Sequence, residues 1–81
     1  IEVQDSLNNE PVEMAEAVLT KDSKFIQGNY TDNNGKVTLK NIPSGTYQLK
    51  ISFFESSVIQ DVTLVDGENK NISIKIPATN N

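Results

Sequence analysis

The run Tyr47-Gln48-Leu49-Lys50-Ile51-Ser52-Phe53 decides the fold. Tyr47, Leu49, Ile51 and Phe53 alternate with Gln48, Lys50 and Ser52. Successive side chains of an extended strand point to opposite faces, so this pattern belongs to a strand with one face on a core and the other in water. A helix needs apolar residues three and four positions apart, which the run does not supply. The same period of two recurs outward in both directions. Val58, Val62 and Leu64 keep one phase, with Gln60 and Asp61 between them, and Ile72, Ile74 and Ile76 alternate with Asn71, Ser73 and Lys75. Val37 and Leu39 alternate with Lys36, Thr38 and Lys40, and Ile1 and Val3 open the chain in the same way.

Two further segments complete the count. Residues 12–20 could form a helical turn or two by propensity, but Ala15, Ala17 and Leu19 also fit one strand face, and their surroundings favour a strand. Phe25 to Thr31 reads as the next strand, with Gly28 marking a bulge or a close backbone approach. Turn residues punctuate these runs at Asn8-Asn9-Glu10-Pro11, Asp32-Asn33-Asn34-Gly35, Ile42-Pro43-Ser44-Gly45 and Asp66-Gly67-Glu68-Asn69. Asn and Gly tolerate positive φ, so Asp32 to Gly35 reads as a tight hairpin turn, while Pro43 and Gly45 supply a fixed φ and a left-handed position. About seven strands, each with its turn, predict an all-β antiparallel Greek-key sandwich. Residues 1–77 form one domain, and 78–81, after Pro77, read as a linker or chain end.

Composition narrows the chemistry. The chain has 81 residues, of which 36% are hydrophobic, and a net charge of −4. A domain of this size buries roughly two-thirds of the surface its unfolded chain exposes, which allows a core but disfavours a deep cleft. The acidic balance argues against nucleic acid, since phosphate neutralisation needs clustered cations. There is no His and no Cys. That removes the Ser-His-Asp triad, the Cys-His pair, ordinary zinc sites and a disulfide framework. An EF-hand loop starting at Asp32 would need Gly at its sixth position and Glu at its twelfth. Gly35 is fourth and Pro43 twelfth, so the motif fails. The carboxylates lie mostly at turns or outward positions, and nothing pairs two of them across a cleft. A Lys–Asn isopeptide bond is disfavoured, because the first strand has no Lys and Asn71 sits at a strand start. Catalytic, cofactor-binding and metal residues are therefore all assigned as none. Phe54 falls out of phase with Tyr47 to Phe53, so it covers a strand end or meets a neighbouring domain.

The stretch from Gly28 to Phe54 resembles a known family. Thr31, Asp32, Gly35 and Leu39 follow the pattern Thr-Asp-x-x-Gly-x-φ-x-Leu, with φ an apolar residue, and Ile42, Pro43, Gly45, Tyr47, Leu49 and Ser52 continue it. Val3, Asp5, Glu10-Pro11, Ala15 and Ala17 extend the match toward the start. The pattern is similar to that of the carboxypeptidase regulatory-like domain. Glu2, Val37 and Glu55-Ser56 depart from it, at places where the family usually carries Gly, an aromatic residue and Gly-Tyr. The resemblance implies a transthyretin-like seven-stranded sandwich that accompanies catalytic domains without being one. Many such domains stand at the periplasmic N-terminus of outer-membrane β-barrels of Bacteroidetes, including TonB-dependent transporters. The resemblance therefore implies a non-catalytic module of a larger envelope protein, on the periplasmic face of the outer membrane or at the cell surface. Its partners would be other domains of the same chain or envelope proteins, with any membrane contact made through the parent protein. A carbohydrate-binding or adhesin-stalk sandwich is the alternative.

Overall fold

The computed structural model describes residues 1–66 and 72–77. Among the described residues there is no helix, and six strands form: β1 (Glu2–Asp5), β2 (Glu16–Lys21), β3 (Lys24–Tyr30), β4 (Gly45–Phe53), β5 (Ser56–Leu64) and β6 (Ser73–Ile76). One sheet has four antiparallel strands in the order β3-β2-β4-β5, and the other pairs β1 with β6. The expected two-layer β-sandwich is present, with two corrections. Among the described residues the strands number six, not seven, and β1 and β6 run parallel rather than antiparallel.

The missing strand is the Val37–Leu39 segment. Its alternation is real, since Val37 is buried and Leu39 half-buried. What it lacks is a continuous ladder. Lys36 bridges Glu2, and Val37 exchanges hydrogen bonds with Ile1 (3.0 and 3.2 Å). By Lys40 the backbone pairs with a side chain instead: Lys40 N–H donates to Gln27 Oε1 (2.9 Å), and Gln27 Nε2 donates to Lys40 O (3.0 Å). Side-chain period reports burial, whereas a strand also needs a backbone partner along its length. The other shortened strand is the second, which begins at Glu16 rather than Val12. Met14 sits at φ 64, which breaks an extended backbone.

The long runs form hairpins in register. Asp22 and Ser23, at φ 51 and 65, make the two-residue turn between β2 and β3, as a type I′ hairpin requires. On the inner face of the large sheet, Ala17 opposes Ile51, Leu19 opposes Leu49 and Tyr47 opposes Val62. These residues close onto Val3, Ile74 and Ile76 of the small sheet in one buried cluster. Each fully enclosed side chain of this kind contributes about 1.5–3 kcal/mol.

Parallel pairing of the first and last strands has a directional consequence. Glu2 lies beside Ser73 and Asp5 beside Ile76. Ile1 and Pro77 therefore stand at opposite ends of the small sheet. Both sides of β1 are occupied. Ile1, Val3 and Asp5 bond to Val37, Gly35, Val12 and Glu10, while Glu2 and Ser6 donate to Ile72 and Ile76.

Candidate functional site

The motif residues assemble into a backbone staple. Thr31, just past β3, is 2% exposed. Its hydroxyl donates to Val12 O (2.6 Å) and accepts from Ala15 N–H (2.9 Å), while its backbone bonds Met14 and Ala15. One threonine thus holds the whole 12–15 loop against the sheet. Asp32 begins the next turn. Its Oδ1 accepts from Asn34 N–H (2.9 Å) and Lys36 N–H (3.0 Å), as an Asx turn does. Those donors, Lys36 N–H foremost, hold the Asp32 carboxyl below its ordinary value. Contrary to the tight hairpin expected from its residues, the turn does not close a hairpin within one sheet. It carries the chain from β3 across to β1, where Val3 N–H donates to Gly35 O (2.7 Å).

Gly35 is where this crossing is tightest. Its φ is +71, and a Cβ there would stand 2.5 Å from the Val3 carbonyl oxygen and 3.0 Å from Val12 N. Both the backbone angle and the space demand glycine. The second turn is tied more simply. Tyr47 Oη donates to Pro43 O (2.6 Å), so a core side chain pins the loop before its own strand. Gly45 opens β4 at φ +155, a conformation few side chains accept. Asp32 and Gly35 therefore sit in one turn, Pro43 in the loop before β4 and Gly45 at the start of that strand, with the Asp32 carboxylate spent on backbone N–H groups and Pro43 O on the Tyr47 hydroxyl.

Two polar residues escaped the sequence reading. Gln27 lies opposite Leu19 on the inner face of the large sheet and clasps the Lys40 peptide. Its one visible signal was a polar residue on an inward parity. Asp5, unlike the outward carboxylates expected from the sequence, is 6% exposed, and its Oδ1 accepts from Leu7 N–H (3.0 Å). It caps the turn after β1, a role its position before Ser6-Leu7-Asn8-Asn9 could have suggested.

The exposed surface is where recognition could occur. Phe54 is 86% exposed and is not on a strand: it is the first residue of the Phe54–Glu55 turn between β4 and β5, at φ 52. Its ring meets that of Phe53 edge to face, centroids 4.6 Å apart. Phe25 and Tyr30 of β3 are also exposed. They oppose Thr20 and Glu16, which puts both on the outer face of the large sheet. Gly28 between them lets the Phe25 ring lie against the backbone, since a Cβ there would meet Phe25 Cε1 at 3.2 Å. Among the described residues no group of three or more acidic side chains is placed to hold a metal ion. Asn71, the Gly67-Glu68-Asn69 part of the last expected turn and the 78–81 tail lie outside the described residues.

Fold and site together define a small β-sandwich whose motif residues brace loops instead of converging on a reaction centre. The model of the carboxypeptidase regulatory-like domain matches residues 2–77, and the chain belongs to that family. The family is a non-catalytic β-sandwich module. No curated protein and no solved structure matches the chain.

Proposed function

We propose that this domain is an accessory interaction module of a larger bacterial envelope protein, the periplasmic N-terminal domain of an outer-membrane β-barrel or TonB-dependent transporter. The observation that carries the reading is how the polar motif is used. Thr31, Asp32, Gln27 and the Tyr47 hydroxyl all bond loop backbone, which makes a braced body with its binding capacity left on sheet edges and faces. The opposite placement of Ile1 and Pro77 along β1 and β6 suits a module threaded in line between other segments. The reading is tested on the full-length chain. A cleaved leader before Ile1, plug and barrel sequence after Asn81, and recovery in the outer-membrane fraction support it. A chain that terminates at Asn81 refutes it.

One observation favours a second reading, a carbohydrate-binding sandwich. Phe25 and Tyr30 present two rings on one outer face, opposite Thr20 and Glu16 of β2, with Gln48 and Lys50 one strand further on in β4. Aromatic rings flanked by hydrogen-bonding groups suit sugar stacking. A glycan array with hits lost in Phe25→Ala and Tyr30→Ala supports this reading, and an array without hits removes it.

A further inference from the structure

Sheet edges are templates for pairing, and folded proteins block them with bulges, lysines, short strands or covering loops. Three of the four edges here are blocked. Segments 10–12 and 35–37 cover the side of β1 that faces away from β6. Strand β6 has only four residues and carries Lys75. Strand β3 is irregular: the register shift at Leu19/Thr20 leaves Ile26 without a counterpart on β2, Lys24 guards one end, and Asn29 Oδ1 takes the Tyr30 N–H. Strand β5 differs. It runs nine residues, Ser56–Leu64, in unbroken register with β4, and contains no Pro, Gly or Lys. Phe53 and Ser56 flank a two-residue turn, so they form a hydrogen-bonded pair, and every second residue from Ser56 faces β4. The backbone groups of Ser57, Ile59 and Asp61 face the other way, where no strand pairs with β5 among the described residues. Ile59 is 60% exposed on the outer face of that edge.

We infer that β5 pairs antiparallel with β5 of a second copy of this chain, joining two four-stranded sheets into one eight-stranded sheet about a two-fold axis at Ile59. Five registers bring the open backbone groups together, and those with the axis at Ser57 or Val58 set Ile59 or Asp61 opposite Glu55. With the axis at Asp61, two carboxylates oppose each other. With the axis at Gln60, each carboxylate faces an isoleucine. With the axis at Ile59, the two exposed isoleucines meet, each Asp61 carboxylate faces a Ser57 hydroxyl, and the two Asp61 groups are separated by roughly 14 Å of strand rise. That separation exceeds the Debye length of about 8 Å at physiological salt, so the last register alone is self-complementary. The proposal goes beyond the envelope reading and stands whether or not that reading does.

The test uses the 81-residue chain, which has no Cys of its own. Sedimentation equilibrium from micromolar to millimolar concentration should show a monomer of 8.9 kDa giving way to a dimer. Ile59→Lys should weaken association at least tenfold without lowering the denaturation midpoint. Under mild oxidation Ile59→Cys should form a disulfide dimer, because hydrogen-bonded antiparallel pairs have Cα atoms about 5.5 Å apart, within disulfide range. Ser57→Cys should not, because its own counterpart is about four residues away along the strand. A monomer throughout the range, equal dimerisation of Ile59→Lys, or equal cross-linking of the two cysteine variants would overturn the proposal. So would a chain that stays monomeric and pairs β5 only with a foreign strand.

Discussion

Gly35→Ala is the substitution that tests the staple most directly. The new methyl carbon would lie 2.5 Å from Val3 O, 3.0 Å from Val12 N and 3.1 Å from Pro11 Cβ. None of the three can swing aside as a flexible side-chain tip would. At φ +71 alanine also suffers about 1–2 kcal/mol of left-handed strain, offset by about 0.4–1 kcal/mol from a less free unfolded chain. Relieving the clash means moving β1 away. That stretches the Val3 N–H···Gly35 O and Val12 N–H···Val3 O bonds, worth about 1 kcal/mol each and up to about 3 where a buried group loses its partner. The expected loss is about 3–5 kcal/mol. A chain of this length has about 4–12 kcal/mol of total stability, so the variant should sit near or past its unfolding limit at room temperature. Urea denaturation followed by circular dichroism reads the loss. Gly45→Ala is the comparison, since the nearest atom to its methyl is the mobile Lys21 Nζ at 3.0 Å, and it should lose less. A Gly35→Ala loss below about 1 kcal/mol would refute the reasoning, because left-handed strain less the unfolded-chain offset would account for it with no clash and no stretched hydrogen bond.

The remaining expectations concern neighbouring residues. Thr31→Val keeps shape but strands Ala15 N–H and Val12 O, and should cost about 2–4 kcal/mol by denaturation, against about 1 for Thr31→Ser; equal costs would mean the hydroxyl does not clamp the loop. Tyr47→Phe should lose about 1–1.5 kcal/mol through the bond to Pro43 O, and an unchanged midpoint would contradict that bond. The Asp32 carboxyl titrates lower in the folded chain than its ordinary 3.8, so its contribution is present above that pH and disappears as pH falls through the folded value. Asp32→Asn should therefore flatten the acid limb of a stability–pH curve below about pH 4, and parallel limbs for the two proteins would show that the Asx turn does not hold the carboxylate. Phe54→Asn should leave stability unchanged or raise it by up to about 1 kcal/mol, since asparagine tolerates the left-handed turn position; a larger loss would show that the Phe53–Phe54 contact supports the fold.

Alternation identified β4, β5 and β6 and the residues they bury, because those strands keep one parity along their buried face. It failed at Val37–Leu39 for a definite reason: the pattern records which side chains face a core and is silent on where backbone groups find partners. The turn residues were visible as turns, but their job was not. Asp32 to Gly35 looked like a hairpin, and only the long-range bond from Val3 to Gly35 shows that it joins two sheets. Gln27 was invisible as a clasp because its partner is a peptide thirteen residues away. Phe54 was legible as exposed, but its place in a turn depended on the pairing of Phe53 with Ser56.

By itself the sequence determined the β class, the identity of the core and the absence of His- and Cys-based chemistry, because each follows from residue type and local period. Tertiary structure alone decided that β1 and β6 run parallel, that the polar motif braces loops, and that β5 is a long regular edge with no strand paired to its outer side among the described residues. Those outcomes depend on which segments lie side by side in space, and a period of two is the same for a paired strand, an edge strand and a chain with no partner.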